Sequence, residues 1–446
     1  MSVSIPKGVF DILPSHSNSE DSWKDSYRWQ YVERVIREIT KDYGFKEIRT
    51  PLFERTELFK RSVGESSDIV TKEMYTFEDK GKRSMTLRPE GTASVMRSLI
   101  EKRLHNQLPL QKLFYIAPMF RYERPQAGRF RQHHQFGIEA IGNGAPEQDV
   151  EVIDLLYSFY QRLGLKNLTV YLNSVGDNES RTEYRQSLKD YLTPHLSDLS
   201  EDSQARFETN PLRILDSKDP KDKAIIKDAP SILDYLNAEC KEHFEQVREG
   251  LDLLGIPYEI NHKLVRGLDY YNKTVFEIVS GELGAQNSIG AGGRYDGLIS
   301  SLGGPDLQAV GFGTGIERII QTMIKQEVFF PEAPRPTCFL VPLGDAAKKV
   351  CTPLLHNLRS EGIPSEMDYS GRKLKLIMRY ADSIQAKYVA VIGDGELEKG
   401  IVEMKEMATR ESFEIPLSDF KEIGKLLKEN LSGEFDGRVL REFQEG

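Results

Sequence analysis

The chain has 446 residues, 39% of them hydrophobic and 29% charged, which fits a soluble globular protein of two or three domains rather than a disordered or membrane-embedded one. Its 69 acidic residues outnumber 60 basic ones, giving a net charge of −9, which excludes a protein that coats nucleic acid indiscriminately but leaves room for a local basic surface. No apolar run approaches the roughly 20 residues of a membrane helix, the opening Met1-Ser-Val-Ser-Ile-Pro-Lys lacks a secretory pattern, and three scattered cysteines suit a reducing cytoplasm.

In chain order, apolar residues recur at helical spacing from Trp29 to Tyr43 (Val32, Val35, Ile36, Ile39), and Tyr43-Gly44 closes that helix. Phe45 to Pro51 reads as a strand. Met85 to Thr92 is a short strand running into a turn, with a helix from about Ala93. Lys112–Pro118 and Gln135–Ile141 read as strands flanking a loop rich in Arg, Gln and Gly, and Asp149 to Leu163 as an amphipathic helix. About 172–257 is polar and mostly helical, an insertion with a small core of its own. Strand patterning returns at His262–Arg266 and at Lys273–Val279. Residues 329–336 carry three prolines and form a linker. Beyond it, strand (Cys338–Pro342), helix (Ala346–Ser360), a strand near Pro364, helix (Arg372–Ala386) and strand (Tyr388–Ile392) make a separate α/β domain over 337–428. Residues 429–446 form a tail. The catalytic part, 1–328, reads as α+β on an antiparallel sheet.

The densest polar stretch runs from Arg121 to Gln135. Four arginines between two apolar strands need an anion, because a folded loop of like charges repels itself. Arg121 directly follows an apolar strand and so points from a rigid edge. Gln135, Gly137 and Glu139 share one strand face by the two-residue period, a set suited to a small polar ligand or simply to an exposed face. Thr314-x-x-Glu317 matches a capping box, while Arg318, one residue later, puts a cation at a helix N-terminus, where only an anion offsets it. His133 and His134 point to opposite strand faces and lack a third ligand, so no metal site is expected.

Residues 112–141 resemble motif 2 of the class II aminoacyl-tRNA synthetases, Ala309–Arg318 resembles motif 3, and Gly44–Pro51 resembles motif 1, whose family role is dimer contact. Leu87-Arg-Pro-Glu-Gly-Thr92, Leu264-Val-Arg-Gly-Leu-Asp-Tyr-Tyr271 and Gly290-Ala-Gly-Gly-Arg-Tyr-Asp-Gly297 narrow the resemblance to the histidyl-tRNA synthetase family. It covers essentially the whole chain, from Gly8-Val-Phe-Asp-Ile-Leu-Pro14 to an anticodon-binding domain after Pro336.

The resemblance implies an enzyme that activates L-histidine with ATP, magnesium accompanying the nucleotide, and loads it onto tRNA(His). It places Arg121 and Arg266, the catalytic pair, on the α-phosphate and Arg318 on the terminal phosphate. Glu90 and Thr92 would hold the substrate ammonium, with Gln135, and Gly91, Arg121 and Arg266 would also reach histidine. Glu139, Tyr270 and Tyr271 would read the imidazole. In the family, the motif 2 loop approaches an acceptor end bearing an additional 5′ guanosine, which assigns Arg124 and Gln126 to it. A homodimer through Phe45 to Glu54 is implied. Two other readings are disfavoured. A regulatory paralogue usually lacks the second domain and loses the arginines, and a threonyl or prolyl enzyme lacks the Arg-Gly-Leu-Asp-Tyr-Tyr string.

Overall fold

The computed structural model describes residues 3–64, 67–123, 129–281 and 288–417. Arg124, Gln126 and the tail 429–446 lie outside the described residues. Two compact units meet between Pro331 and Glu332, inside the proline-rich segment.

In the first unit the strands are β1 (Lys46–Glu47), β2 (Phe53–Arg55), β3 (Thr76–Glu78), β4 (Ser84–Leu87), β5 (Gln111–Phe120), β6 (Gln132–Ile141), β7 (Leu168–Ser174), β8 (Tyr258–Ile260), β9 (Asn272–Ser280), β10 (Ser288–Arg294) and β11 (Ala309–Gly315). The main sheet runs β1-β5-β6-β11-β10-β9-β7-β8, antiparallel throughout its centre, with β1 and β8 added in parallel at the two edges. β2, β4 and β3 form a small separate sheet. The motif 2 ladder is longer than its apolar core suggests: β5 and β6 pair from Gln111↔Ile141 to Phe120↔Gln132, so polar Gln132–His134 also lie in strand.

One face of the sheet is covered by the helices Ser26–Asp42, Pro146–Arg162 and Ile316–Lys325. Val32, Ile36 and Ile39 of the first, spaced three to four apart, are fully buried there, each contributing about 1.5–3 kcal/mol of transfer free energy. That helix ends where expected, at Gly44 with φ +76°. The opposite face carries the helix Thr92–Glu101 and a cluster rich in tyrosine (Tyr115, Tyr271, Tyr295).

Three expectations change. His262–Arg266 is not a strand: the Asn261 side chain accepts from Lys263 N at 3.1 Å, turning the chain, and the strand is the preceding Tyr258–Ile260. The insertion is narrower than 172–257. Its own apolar cluster runs from Tyr184 to Ile232, whereas Leu172 belongs to the main sheet and Phe244, Val247 and Leu251 pack into the main core. The extended run Phe45–Pro51 pairs only at Lys46–Glu47.

In the second unit β12 (Cys338–Pro342), β13 (Ser365–Met367), β14 (Tyr388–Ile392), β15 (Ile401–Glu406) and β16 (Ser412–Pro416) order as β13-β12-β14-β15-β16, flanked by the helices Asp345–Ser360 and Leu374–Ser383. The first three strands are parallel, as the strand–helix alternation predicts.

Candidate functional site

Two clefts open on the tyrosine-bearing side and along the ends of β6, β9, β10 and β11. The smaller, about 200 Å³, is lined by Glu90, Thr92, Arg121, Gln135, Arg266, Tyr270, Tyr271 and Tyr295. The larger, about 580 Å³, is lined by Arg121, Arg129, Arg266, Arg318, Lys218, Glu123, Asp216 and Glu277, among others. Arg121, His133 and Arg266 line both, so the clefts are continuous.

The floor is made of glycine. β10 and β11 pair Ala291↔Gly313 and Gly293↔Gly311, and a β-carbon at Gly313 would fall 1.9 Å from Gln135 Nε2. Tyr115 is wedged in the same way: β-carbons at Gly91 and Gly137 would lie 2.3 and 2.4 Å from its ring. Gly91 therefore admits the Tyr115 ring.

Glu90 is buried, and its two carboxylate oxygens accept from Thr92 N (2.6 Å) and Ala93 N (3.0 Å), the exposed amides at the start of the helix Thr92–Glu101. Burial pushes its carboxyl upward, opposed by those amides and by Arg121. The remaining lone pairs face the small cleft, a negative group beside polar walls.

Glu139 stands behind that wall. Its carboxylate is reached by the hydroxyls of Thr92 (2.8 Å), Tyr115 (3.4 Å) and Tyr295, and burial raises its pKa to about 8. Tyr295 then turns its ring to Tyr270 (5.5 Å between centroids) and Tyr271 (6.2 Å). Burial holds the Tyr115, Tyr270 and Tyr295 hydroxyls well above the ordinary phenol range, so all remain neutral hydrogen-bonding groups.

The arginines have the opposite character. Arg121 Nε donates to Pro89 O at 2.8 Å, and Arg318 Nη1 to Ser288 O at 2.5 Å, so carbonyl dipoles aim both guanidiniums without neutralising them. Arg266 Nε is buried with no hydrogen-bond partner. Among the described residues Arg266 and Arg318 form no ion pair, and Arg121 reaches only Glu123, at 4.0 Å. Arg129 pairs with the same Glu123, at 3.1 Å, which leaves Arg266 and Arg318 as the guanidiniums of the cleft that call for an anion. His133 sits among them and is pushed down to about 3 by burial and by Arg121, His134 and Arg318, so it is a neutral imidazole.

The capping-box expectation for Glu317 is overturned. Thr314 Oγ1 donates to Ile289 O (2.7 Å) and accepts from Tyr160 (2.8 Å), and no side chain caps the helix at Gly315. Glu317 instead reaches β6, accepting from both the amide and the ring of His134.

Glu90, Thr92, Arg121, Gln135, Arg266, Tyr270 and Tyr271 thus meet at one cleft, with Arg318 at its extension, Glu139 and Gly91 behind, and Arg124 and Gln126 outside the described residues. Sequence reasoning missed Tyr115, His133 and Tyr295. Strand alternation from Leu113 could have found Tyr115. Tyr295 lies within the Gly290–Gly297 segment, whose family likeness alone assigns it no role. Arg294, next to it, is fully buried and bonds to Asp149, Asn143 O (3.1 Å) and Ala145 O (3.2 Å), a cross-link from β10 to the start of the helix Pro146–Arg162.

Known proteins give the same grouping. The family model described as histidyl-tRNA synthetase matches residues 20–319, and one described as an anticodon binding domain matches 337–427. A histidine–tRNA ligase of Protochlamydia amoebophila is 64% identical over 94% of this chain and 98% of that protein. One of Anoxybacillus flavithermus is 48% identical over the same shares. The crystal structure of apo histidyl-tRNA synthetase from S. aureus superposes with a TM-score of 0.80 at 41% identity, covering 95% of this chain and all of that one. With a matched catalytic model, a matched second domain and near-full-length identity well above the level of shared fold alone, the chain belongs to the histidyl-tRNA synthetase family.

Proposed function

We propose that this chain joins L-histidine to tRNA(His), with the two clefts dividing the first step between them. The observation that carries the reading is the continuity, through Arg121 and Arg266, of a small tyrosine-walled pocket with a larger cleft lined by four arginines, of which Arg266 and Arg318 have no ion pair among the described residues. The small pocket suits histidine: Glu90, with Thr92 and Gln135, for the ammonium, and neutral tyrosine hydroxyls for the imidazole. Such hydrogen-bonding walls discriminate strongly against isosteres. Glu139 acts on the ring through Thr92, Tyr115 and Tyr295, as a positioning residue. The large cleft suits ATP, with Arg318 at the terminal phosphate.

Histidine's carboxylate is ionised at neutral pH, so its oxygen attacks the α-phosphorus with no general base. The new P–O bond forms as pyrophosphate leaves. Arg121 and Arg266 stabilise the charge gathered at the α-phosphoryl, the work that aimed, unneutralised donors do best. The tRNA terminal hydroxyl then attacks the histidyl carbonyl and AMP departs. Asp216 and Glu277 on the cleft wall would be the acids nearest a magnesium ion accompanying ATP, which would supply positive charge for the phosphates.

Exposed Leu52, Phe53 and Phe77 support a twofold dimer through the segment from Phe45 to Glu54. Three buried free thiols support a cytoplasmic setting, and among the described residues no helix is long and apolar enough to cross a membrane. The deciding experiment is ATP–pyrophosphate exchange with each amino acid in turn. Exchange supported by histidine alone is expected, and exchange driven by another amino acid, or none at all, overturns the reading.

A further inference from the structure

Carbonyl oxygens aim the guanidiniums of Arg121 and Arg318, but Arg266 has no such guide, its Nε being buried without an acceptor. Where its side chain points is therefore set by its backbone. Regular structure does not fix that backbone, since residues 261–271 form neither helix nor strand. Among the described residues, the hydrogen bond that holds Arg266 is made at its carbonyl, which accepts from Arg213 Nη1 at 2.9 Å. Arg213 lies 53 positions earlier, in the short helix Pro211–Asp216 of the insertion.

Two apolar cores meet at this point of the chain. Leu264 is buried in the tyrosine-rich cluster of the catalytic sheet, whereas Val265, the next residue, packs against the insertion's own cluster. Ile214 and Leu215, which follow Arg213, are buried in that same insertion cluster, so Arg213 is carried on a rigid support. Arg266 thus emerges from the seam between the cores. Polar bonds tie the insertion to the same stretch farther on: Asn210 Nδ2 donates to Asp269 Oδ1 at 3.1 Å, and Arg181 Nη1 to Tyr271 O at 2.9 Å. The Arg213 guanidinium also lies beside Gly267, where a β-carbon would stand 3.6 Å from Nη1. Arg213 lines neither of the two substrate clefts, so its reach into the chemistry runs through Arg266. A charged donor on a carbonyl makes a strong, directional bond, and catalysis by a positioned group is sensitive to displacements of about 1 Å.

We propose that Arg213 is a positioning residue for adenylate formation: by holding the Arg266 carbonyl it fixes the direction in which the Arg266 guanidinium enters the cleft. The insertion thereby completes the activation site without touching histidine or ATP at this point. The proposal rests on the reading that Arg266 stabilises charge at the α-phosphoryl.

The test uses the full-length chain and four variants: Arg213→Met, Arg213→Lys, Arg266→Ala, and the double change of Arg213→Met with Arg266→Ala. Rapid quench reads single-turnover adenylate formation at saturating histidine and ATP, at a temperature where melts show every variant folded. Equilibrium binding reads the two substrates separately. Methionine keeps the unbranched stem of Arg213 and removes its donors. Arg213→Met should slow adenylate formation roughly 10- to 100-fold, the loss that a misplaced catalytic group gives, and leave both affinities close to the parent's. Arg213→Lys, which keeps a cationic donor, should recover most of the rate. In the Arg266→Ala background Arg213→Met should cost no further rate, because a residue that acts through another is silent once the other is gone. A residue that merely steadies the fold would slow both backgrounds by the same factor. A parent-like rate in Arg213→Met, or equal losses in the two backgrounds, overturns the proposal. A parent-like rate in Arg266→Ala instead sinks the catalytic reading of Arg266, and the role of Arg213 falls with it.

Discussion

His134 and Glu317 tie the motif 2 strand to the motif 3 helix: one carboxylate oxygen of Glu317 accepts from the His134 amide at 2.8 Å and contacts its ring nitrogen at 2.9 Å. Glu317 is 2% exposed and immediately precedes Arg318, so this contact fixes where the Arg318 guanidinium emerges. Glu317→Ala leaves the partly buried His134 amide without its carboxylate acceptor and should cost about 1–3 kcal/mol of stability. It should also raise the KM for ATP more than that for histidine. Denaturant melts and separate titrations of the two substrates measure both, and equal shifts in the two KM values would count against the link to Arg318.

Arg266→Ala should slow adenylate formation by roughly 10²–10³-fold at saturating substrates while changing histidine affinity little. The motive is its buried Nε without a partner, at the junction of the two clefts. Rapid-quench measurement of a single turnover is the check, and an unchanged rate removes Arg266 from the mechanism.

Glu139 makes a pH prediction. Its folded pKa, about 8, lies above the ordinary carboxylate value of 4.5, so folding favours the protonated form. That contribution is complete below pH 4.5 and is lost as pH rises towards 8, because the unfolded chain releases the proton first. Glu139→Gln, which keeps a neutral group before the same hydroxyls, should therefore gain in melting temperature relative to the parent as pH climbs from 5 to 8. A constant difference across that range would be the contrary result. Glu139→Ala should weaken histidine by about 1–3 kcal/mol and ATP hardly at all.

Arg124 and Gln126 are assigned by family position alone. If they read the additional 5′ guanosine, Arg124→Ala and Gln126→Ala should shrink the preference for tRNA bearing it over tRNA lacking it, with histidine-dependent exchange intact. A mere phosphate contact at Arg124 would weaken both tRNAs alike and lower the salt slope. Aminoacylation of the two tRNAs gives the ratio directly.

Much of this was legible in the sequence because it depends on period and punctuation. Val32, Ile36 and Ile39 announce a helix, Gly44 ends it, and the prolines near 331–336 mark the place where the two units part. Less legible were features set by contacts far apart in the chain. The separation of 183 positions between His134 and Glu317 conceals the bond that replaces the expected cap. The strand pattern at His262–Arg266 yields to one Asn261 side chain, a local turn that apolar alternation does not register. Glu139 shares a strand face with Gln135 as alternation requires, but only the folded molecule puts Tyr295 in front of it. Period assigns a face and says nothing of depth.

The glycine floor has a consequence for redesigning the amino acid the pocket accepts. Added bulk at Gly313 would land on Gln135, and at Gly311 a β-carbon would meet Ile138 O at 2.2 Å and Glu139 at 2.5 Å. The floor therefore already stands at its lowest: every substitution there subtracts space, and none can add any. A larger or differently shaped amino acid can be admitted only from the side walls, by trimming Tyr270, Tyr271 or Tyr295. Trimming Tyr295 would also strip a hydroxyl from Glu139. Inhibitors that fill the small cleft to its floor accordingly leave the chain few ways to escape them that would not also disturb the grip on its own substrate.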